Sequence, residues 1–122
     1  MSLTMKNNGR AWEAAVQAEN QALHKEGLAT VTRVPTHNHG GIPSQEPKVD
    51  FVGSLSPDGR GVFFDAKSGT GTLTKKQRNL LAAHTRMGAL AFVYHADGYV
   101  QVVGGDGKLG DKQTVERWYD VT

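Results

Sequence analysis

Two apolar strand-like segments with charges at fixed places set the terms for this fold. Lys48-Val49-Asp50-Phe51-Val52-Gly53 and Gly61-Val62-Phe63-Phe64-Asp65-Ala66-Lys67 are rich in β-branched and aromatic residues. Ser56-Pro57-Asp58-Gly59 between them is a strong turn signal, so the stretch predicts a β-hairpin. Side chains alternate along a strand, which sends Asp65 and Lys67 to one side and Phe64 and Ala66 to the other. A charged pair inside an apolar strand is either a surface ion pair on an edge strand or a metal-ligating carboxylate beside a charge-stabilising lysine. Asp50 favours the second, because the hairpin can bring Asp50 and Asp65 within reach of a common cation. Two carboxylates that close repel unless a metal or a proton intervenes.

The remaining elements frame this hairpin. Asn8 followed by Gly9-Arg10-Ala11-Trp12-Glu13-Ala14-Ala15-Val16 predicts an N-cap and an alanine-rich helix running to Lys25 and stopped by Gly27. Trp12, Val16 and Leu23 share an apolar stripe beside a polar one of Glu13, Gln17, Asn20 and His24; Glu19 falls inside the apolar stripe and is an anomaly. Leu28 to Val34 is an alternating strand ended by Pro35. Residues 36–47, with two glycines and two prolines, predict an exposed, mobile loop. Thr74-Lys75-Lys76-Gln77 matches a capping box and opens a helix reaching Met87, with Gly88 as its stop. Leu90 to His95 and Tyr99 to Val103 form a second hairpin around Ala96-Asp97-Gly98. In residues 104–122, a flexible loop from Gly104 to Gly110 precedes a short helix within Gln113 to Tyr119. The order predicts an α/β fold in which helices pack on the faces of a mixed central sheet.

Composition narrows the function. A chain of 122 residues with 38% hydrophobic and 21% charged residues is expected to be one folded domain, residues 1–7 being a flexible N-terminus. The absence of cysteine excludes a disulfide framework, a thiolate zinc site and a cysteine nucleophile, so any metal must sit on oxygen or imidazole. With no long apolar run and no signal-peptide core, a cytoplasmic protein without a membrane segment is expected. The net charge is only +2, yet no acid occurs between Asp65 and Asp97, a window holding Lys67, Lys75, Lys76, Arg78 and Arg86, joined by His84 and His95. Such a stretch is a solvated helix face or a nucleic-acid surface. Convergence of Glu13, Asp50 and Asp65 on a divalent cation would neutralise the acids and leave the working surface positive. Ser68-Gly69-Thr70-Gly71-Thr72 lacks the lysine spacing of a P-loop, so no nucleotide cofactor is expected. His37 and His39 have no further zinc ligands at suitable spacing and suit a DNA-contacting or solvated loop. Trp118 and Tyr119 suit core closure or a subunit interface better than base stacking.

Pro47-Lys48-Val49-Asp50 followed by Phe64-Asp65-Ala66-Lys67 resembles the PD-(D/E)xK signature of restriction-endonuclease-like nucleases, with the elements in the same order. Gly9-Arg10-Ala11-Trp12-Glu13 looks like the first-helix motif of Holliday-junction resolvases of the RecU and archaeal Hjc type, and Arg33-Val34-Pro35 like the segment before their loop. The resemblance covers about residues 8 to 95. Two departures stand out: the proline is at 47 rather than directly before Asp50, and Asp65 replaces the glutamate these resolvases usually carry.

The resemblance implies a restriction-endonuclease-like fold with an αβββαβ core and a metal-dependent DNA endonuclease that resolves four-way junctions by paired symmetric nicks. It implies that Asp50 and Asp65 hold Mg²⁺, with Mn²⁺ the alternative, that the Ala66 carbonyl is a third protein ligand, and that Glu13 completes the site. Lys67 would orient or activate the attacking water and stabilise the developing charge. Arg10 is either a phosphate contact or a plain surface arginine. Arg33, His37, His39, Lys75, Lys76, Gln77 and Arg78 complete the expected DNA-contacting set, Gln77 also being the reciprocal member of the capping box. Two symmetric nicks need two active sites, hence a homodimer on four-way junction DNA. The alternatives are a VRR-type or other nuclease of the same fold acting on flaps or nicked duplex, and a non-catalytic DNA-binding module.

Overall fold

The computed structural model describes residues 9–35 and 48–122, together with the backbone of residues 38–39 and 42–43. These form α1 (Gly9–Lys25), β1 (Ala29–Arg33), β2 (Asn38–His39), β3 (Ile42–Pro43), β4 (Phe51–Leu55), β5 (Arg60–Lys67), α2 (Lys75–Arg86), β6 (Leu90–His95), β7 (Tyr99–Val102), β8 (Gln113–Thr114) and a 3₁₀ turn (Trp118–Val121). Six strands make one sheet in the order β1-β4-β5-β6-β7-β8. Every neighbouring pair is antiparallel except β5 and β6, which run parallel because α2 carries the chain across between them.

The alternation of each strand divides the core between two faces. Val62, Phe64, Phe92 and Tyr94 pack with Trp12, Val16 and Leu23 of α1. Phe63 and Ala91, one residue out of phase, pack with Leu80, Leu81 and Ala82 of α2. The helices therefore cover opposite faces, as the element order predicts. Phe64 stacks between Phe51 and Phe92 at 5.0 and 4.5 Å, and Trp118 leans on Phe64 at 5.3 Å. Both α2 caps agree with expectation: Gln77 N–H donates to Thr74 Oγ1 at 3.1 Å, Thr74 N–H to Gln77 Oε1 at 3.0 Å, and Gly88 follows Met87 with φ 95°. The proposed Asn8 N-cap of α1 lies outside the described residues.

Four expectations need correction. The first hairpin strand begins at Phe51, so Lys48, Val49 and Asp50 precede it. The cause is that Asp50 N–H turns to the Asp65 side chain instead of the ladder, and the last pair is Phe51 with Phe64. The tail is not helical from Gln113: Gln113 and Thr114 pair with Val100 and Tyr99 as β8, and only Trp118–Val121 makes a 3₁₀ turn. Glu19 explains that turn and ceases to be an anomaly. Its carboxylate accepts from Trp118 N–H at 2.7 Å and from the Tyr94 hydroxyl at 2.9 Å, so a charged acceptor inside the apolar stripe anchors the tail. Within residues 36–47, expected as an exposed, mobile loop, the described backbone pairs as an antiparallel ribbon, Asn38 with Pro43 and His39 with Ile42. Gly40-Gly41 is a sequence signature of such a hairpin; the mobility assigned to the loop falls outside the described residues.

A Cβ at Gly53 would land on the Thr30 carbonyl oxygen and press on Val31 Cα at 2.8 Å, so β1 and β4 meet at their observed separation only over glycine. No helix among the described residues is long and apolar enough to cross a membrane.

Candidate active site at the ends of the central strands

Asp65 continues the α2-facing row of β5 after Phe63, and Lys67 follows two residues on. Asp50, immediately before β4, meets it across the hairpin. The two acids are interlocked through backbone: Asp50 N–H donates to Asp65 Oδ1 at 2.8 Å, and Ala66 N–H donates to Asp50 Oδ2 at 2.9 Å. Asp65 is fully buried, and its Oδ2 has no hydrogen-bond partner among the described residues. Burial, followed by the adjacent Asp50 charge, pushes the Asp65 carboxyl up to about 6, against the weaker pull of Lys67. Asp50 is also raised, by burial, although the Ala66 N–H, Lys67 and Arg33 oppose the rise.

Lys67 is held by the helix on its own face. Its Nζ donates to Gln77 Oε1 at 3.4 Å, the same oxygen that caps Thr74 N–H. One side chain thus finishes α2 and steers the ammonium towards the acids.

The structure gathers Asp50, Asp65, Ala66, Lys67 and Gln77. Glu13 stands beside this group rather than in it: its carboxylate pairs with Arg33 at 3.3 Å, and its charge is still felt at Asp65. No group of three or more histidine, aspartate or glutamate side chains able to hold one cation occurs among the described residues. Three converging acids, as the sequence suggested, are therefore not what the fold presents. Glu19, engaged by Tyr94 and Trp118, belongs to the tail anchor. Lys75 and Lys76 are exposed at the first turn of α2, Arg78 is half-buried there, and Arg10 is exposed on α1. His37 and the side chain of His39 lie outside the described residues.

The basic stretch is narrower than its sequence suggests. His84 stacks on Phe63 with centroids 3.7 Å apart, and burial lowers its pKa. Burial lowers His95 as well, with Lys67 and Lys112 adding to the effect. Neither joins the cationic face at neutral pH, which leaves it to the lysines and arginines. Alternation continued through the second hairpin, a pattern visible in the sequence, puts His95, Tyr99 and Gln101 on the face of Lys67.

The donor set fits a hard divalent cation. Asp65 keeps one carboxylate oxygen without a hydrogen-bond partner and is locked to Asp50 through the other, and Mg²⁺ is commonly bound through one or two carboxylates while keeping several waters. Asp50 and Asp65 are the residues that would hold it.

The helix-strand order and the mixed six-stranded sheet make this an α/β fold with the two acids at the ends of its central strands. Among solved structures the chain is similar to Hjc of Archaeoglobus fulgidus, a Holliday junction resolvase from an archaeal hyperthermophile, with 19% sequence identity over 80% of this chain and 78% of that one and a TM-score of 0.51. The likeness establishes the fold. No protein-family model matches the chain, and no curated protein matches its sequence.

Proposed function

We propose that this chain is a divalent-metal-dependent endonuclease that resolves four-way DNA junctions, cutting two strands as a homodimer. The observation that carries it is the buried, unpartnered Asp65 Oδ2 beside Asp50, on the same strand as a lysine pinned by Gln77. A merely structural ion pair would leave no naked carboxylate oxygen in the interior. The fold shared with Hjc supports the choice of substrate.

A bound cation would supply Lewis-acid charge at the scissile phosphate. The protein supplies the rest. Asp50 and Asp65 are held rigid by reciprocal backbone hydrogen bonds, so their oxygens need little reorganisation. Lys67 orients the attacking water and stabilises charge developing on the phosphoryl oxygens. Lys75 and Lys76, beside the N–H groups of the first turn of α2, hold the flanking backbone. A single chain holds one such centre, and symmetric paired nicks require two, hence the dimer.

The test is cleavage of a labelled four-way junction beside duplex, flap and single-stranded controls, with Mg²⁺, Mn²⁺ or EDTA, for wild type and Asp65→Asn. Symmetric nicks restricted to the junction, absent in EDTA and in the variant, are expected. Cutting of flaps or duplex instead would retain the nuclease and remove the resolvase. Binding without metal-dependent cutting would leave a DNA-binding module.

A further inference from the structure

Next to the carboxylate pair is a cavity of about 180 Å³ that this chemistry does not use. Val93 forms its floor. The small-residue segment 69–73 walls one side, His95, Tyr99 and Gln101 the other, and Leu109 the rim. Lys67 is the register partner of His95 across the parallel strands, and Tyr99 is the partner of His95 across the next pair. The lysine and the cavity therefore share one face of the sheet, about one strand spacing of ~4.8 Å apart. A DNA strand with its phosphate at Lys67 would bring the neighbouring nucleotide over the cavity.

The lining favours a base over a phosphate. The His95 and Tyr99 rings stack face to face at 4.2 Å and 19°, with Lys112 Nζ 4.9 Å from the Tyr99 centroid, so an aromatic stack stands in this wall. Gln101 is oriented by donating from Nε2 to the Gly110 carbonyl at 3.1 Å, so its Oε1 faces His95 Nε2 at 3.2 Å. His95 therefore carries its hydrogen on Nε2 and a lone pair on Nδ1. Burial above all, with Lys112 and Lys67 adding to it, disfavours a second proton, while the Gln101 hydrogen bond and Asp97 work the other way. A neutral ring of this tautomer offers an acceptor, which suits the N–H groups of a base and not a phosphate oxygen. Gly71 has its Cβ position 3.7 Å from Lys67 Cδ, so this wall lies directly on the lysine stem.

We propose that this cavity receives the unstacked base of the nucleotide next to the scissile phosphate and sets base preference at the cut. The inference rests on the nuclease reading above. Bases at a branch point are already partly unstacked, which lowers the cost of turning one outwards.

Two measurements test it. Isotope-labelled wild-type protein, titrated in EDTA with a short single strand, is expected to show amide shifts in residues 69–73 and at His95. The same strand with one abasic nucleotide is expected to bind about tenfold more weakly and to leave those amides unmoved. In junction cleavage, an abasic nucleotide beside the cut should slow wild type about tenfold and add nothing to the effect of His95→Ala. Equal shifts from intact and abasic strands would give the cavity to the sugar-phosphate and overturn the proposal, as would effects of His95→Ala and the abasic nucleotide that multiply. Base-dependent shifts in a protein that cuts no DNA would retain the base cavity and remove the nuclease; cutting without such shifts would do the reverse.

Discussion

At Asp65 the requirements of chemistry and of folding oppose each other. Its folded pKa of about 6 lies above the ordinary 3.8, so the group stabilises the fold fully only below that ordinary value and loses the contribution as pH rises through 6. The rise corresponds to on the order of 3 kcal/mol against the charged form. In EDTA, wild type is expected to lose thermal stability between pH 4 and pH 7.5, with the raised Asp50 acting in the same direction. Asp65→Asn keeps the acceptor for Asp50 N–H and removes the charge, so it should melt higher than wild type at pH 7.5 and gain nothing from Mg²⁺, whereas wild type is expected to be stabilised by it. Scanning calorimetry across pH decides; a variant that melts lower than wild type in EDTA at pH 7.5 refutes the account. This cluster was largely legible in the sequence, because a period of two fixes the faces of Asp65 and Lys67 and a hairpin fixes their partner strand. The capture of Glu13 by Arg33 was not. It depends on how α1 lies across β1, a tertiary fact that neither local pattern contains.

Among the elements, α2 and the tail show where local signals suffice and where they fail. The capping box lies within four residues and was readable directly. The tail's local pattern suits a helix, but its course is set at a distance, by pairing with β7 and by Glu19, 99 residues from Trp118 in sequence. A lone acid in an apolar stripe was the visible trace of that contact, without indicating its partner. Glu19→Ala is expected to cost about 2 kcal/mol, since it strips a charged acceptor from Trp118 N–H and the Tyr94 hydroxyl. Urea denaturation measures the loss, and near-UV circular dichroism should report a loosened Trp118. If Glu19→Ala unfolds at the wild-type urea concentration, the anchor is not what docks the tail. Gln77 ties an element to chemistry through one oxygen. Gln77→Ala should therefore weaken the start of α2 by about 1 kcal/mol and lower junction cleavage by releasing Lys67.

Over the whole molecule, the acid-free stretch supplies a cationic face that is smaller than its residue count implies, His84 and His95 having been withdrawn into packing. Sequence gives the order of charges and leaves out how many are neutralised by burial. Replacing Lys75 and Lys76 together with alanine should reduce the slope of log affinity for junction DNA against log salt by about 1.8, with little change in melting temperature. Fluorescence anisotropy over a salt series reads this, and an unchanged slope would move the DNA path away from α2. Gly53 lends itself to a different kind of survey, one that replaces every position in turn and scores survival of activity. It bears neither charge nor side chain, so a chemist choosing residues by reactivity would pass over it. Yet any side chain there would drive β1 from β4, and Val34 N–H ties the end of β1 to the Asp50 carbonyl at 2.8 Å. In such a survey position 53 should tolerate no replacement and score with the acids, an intolerance arising from shape alone.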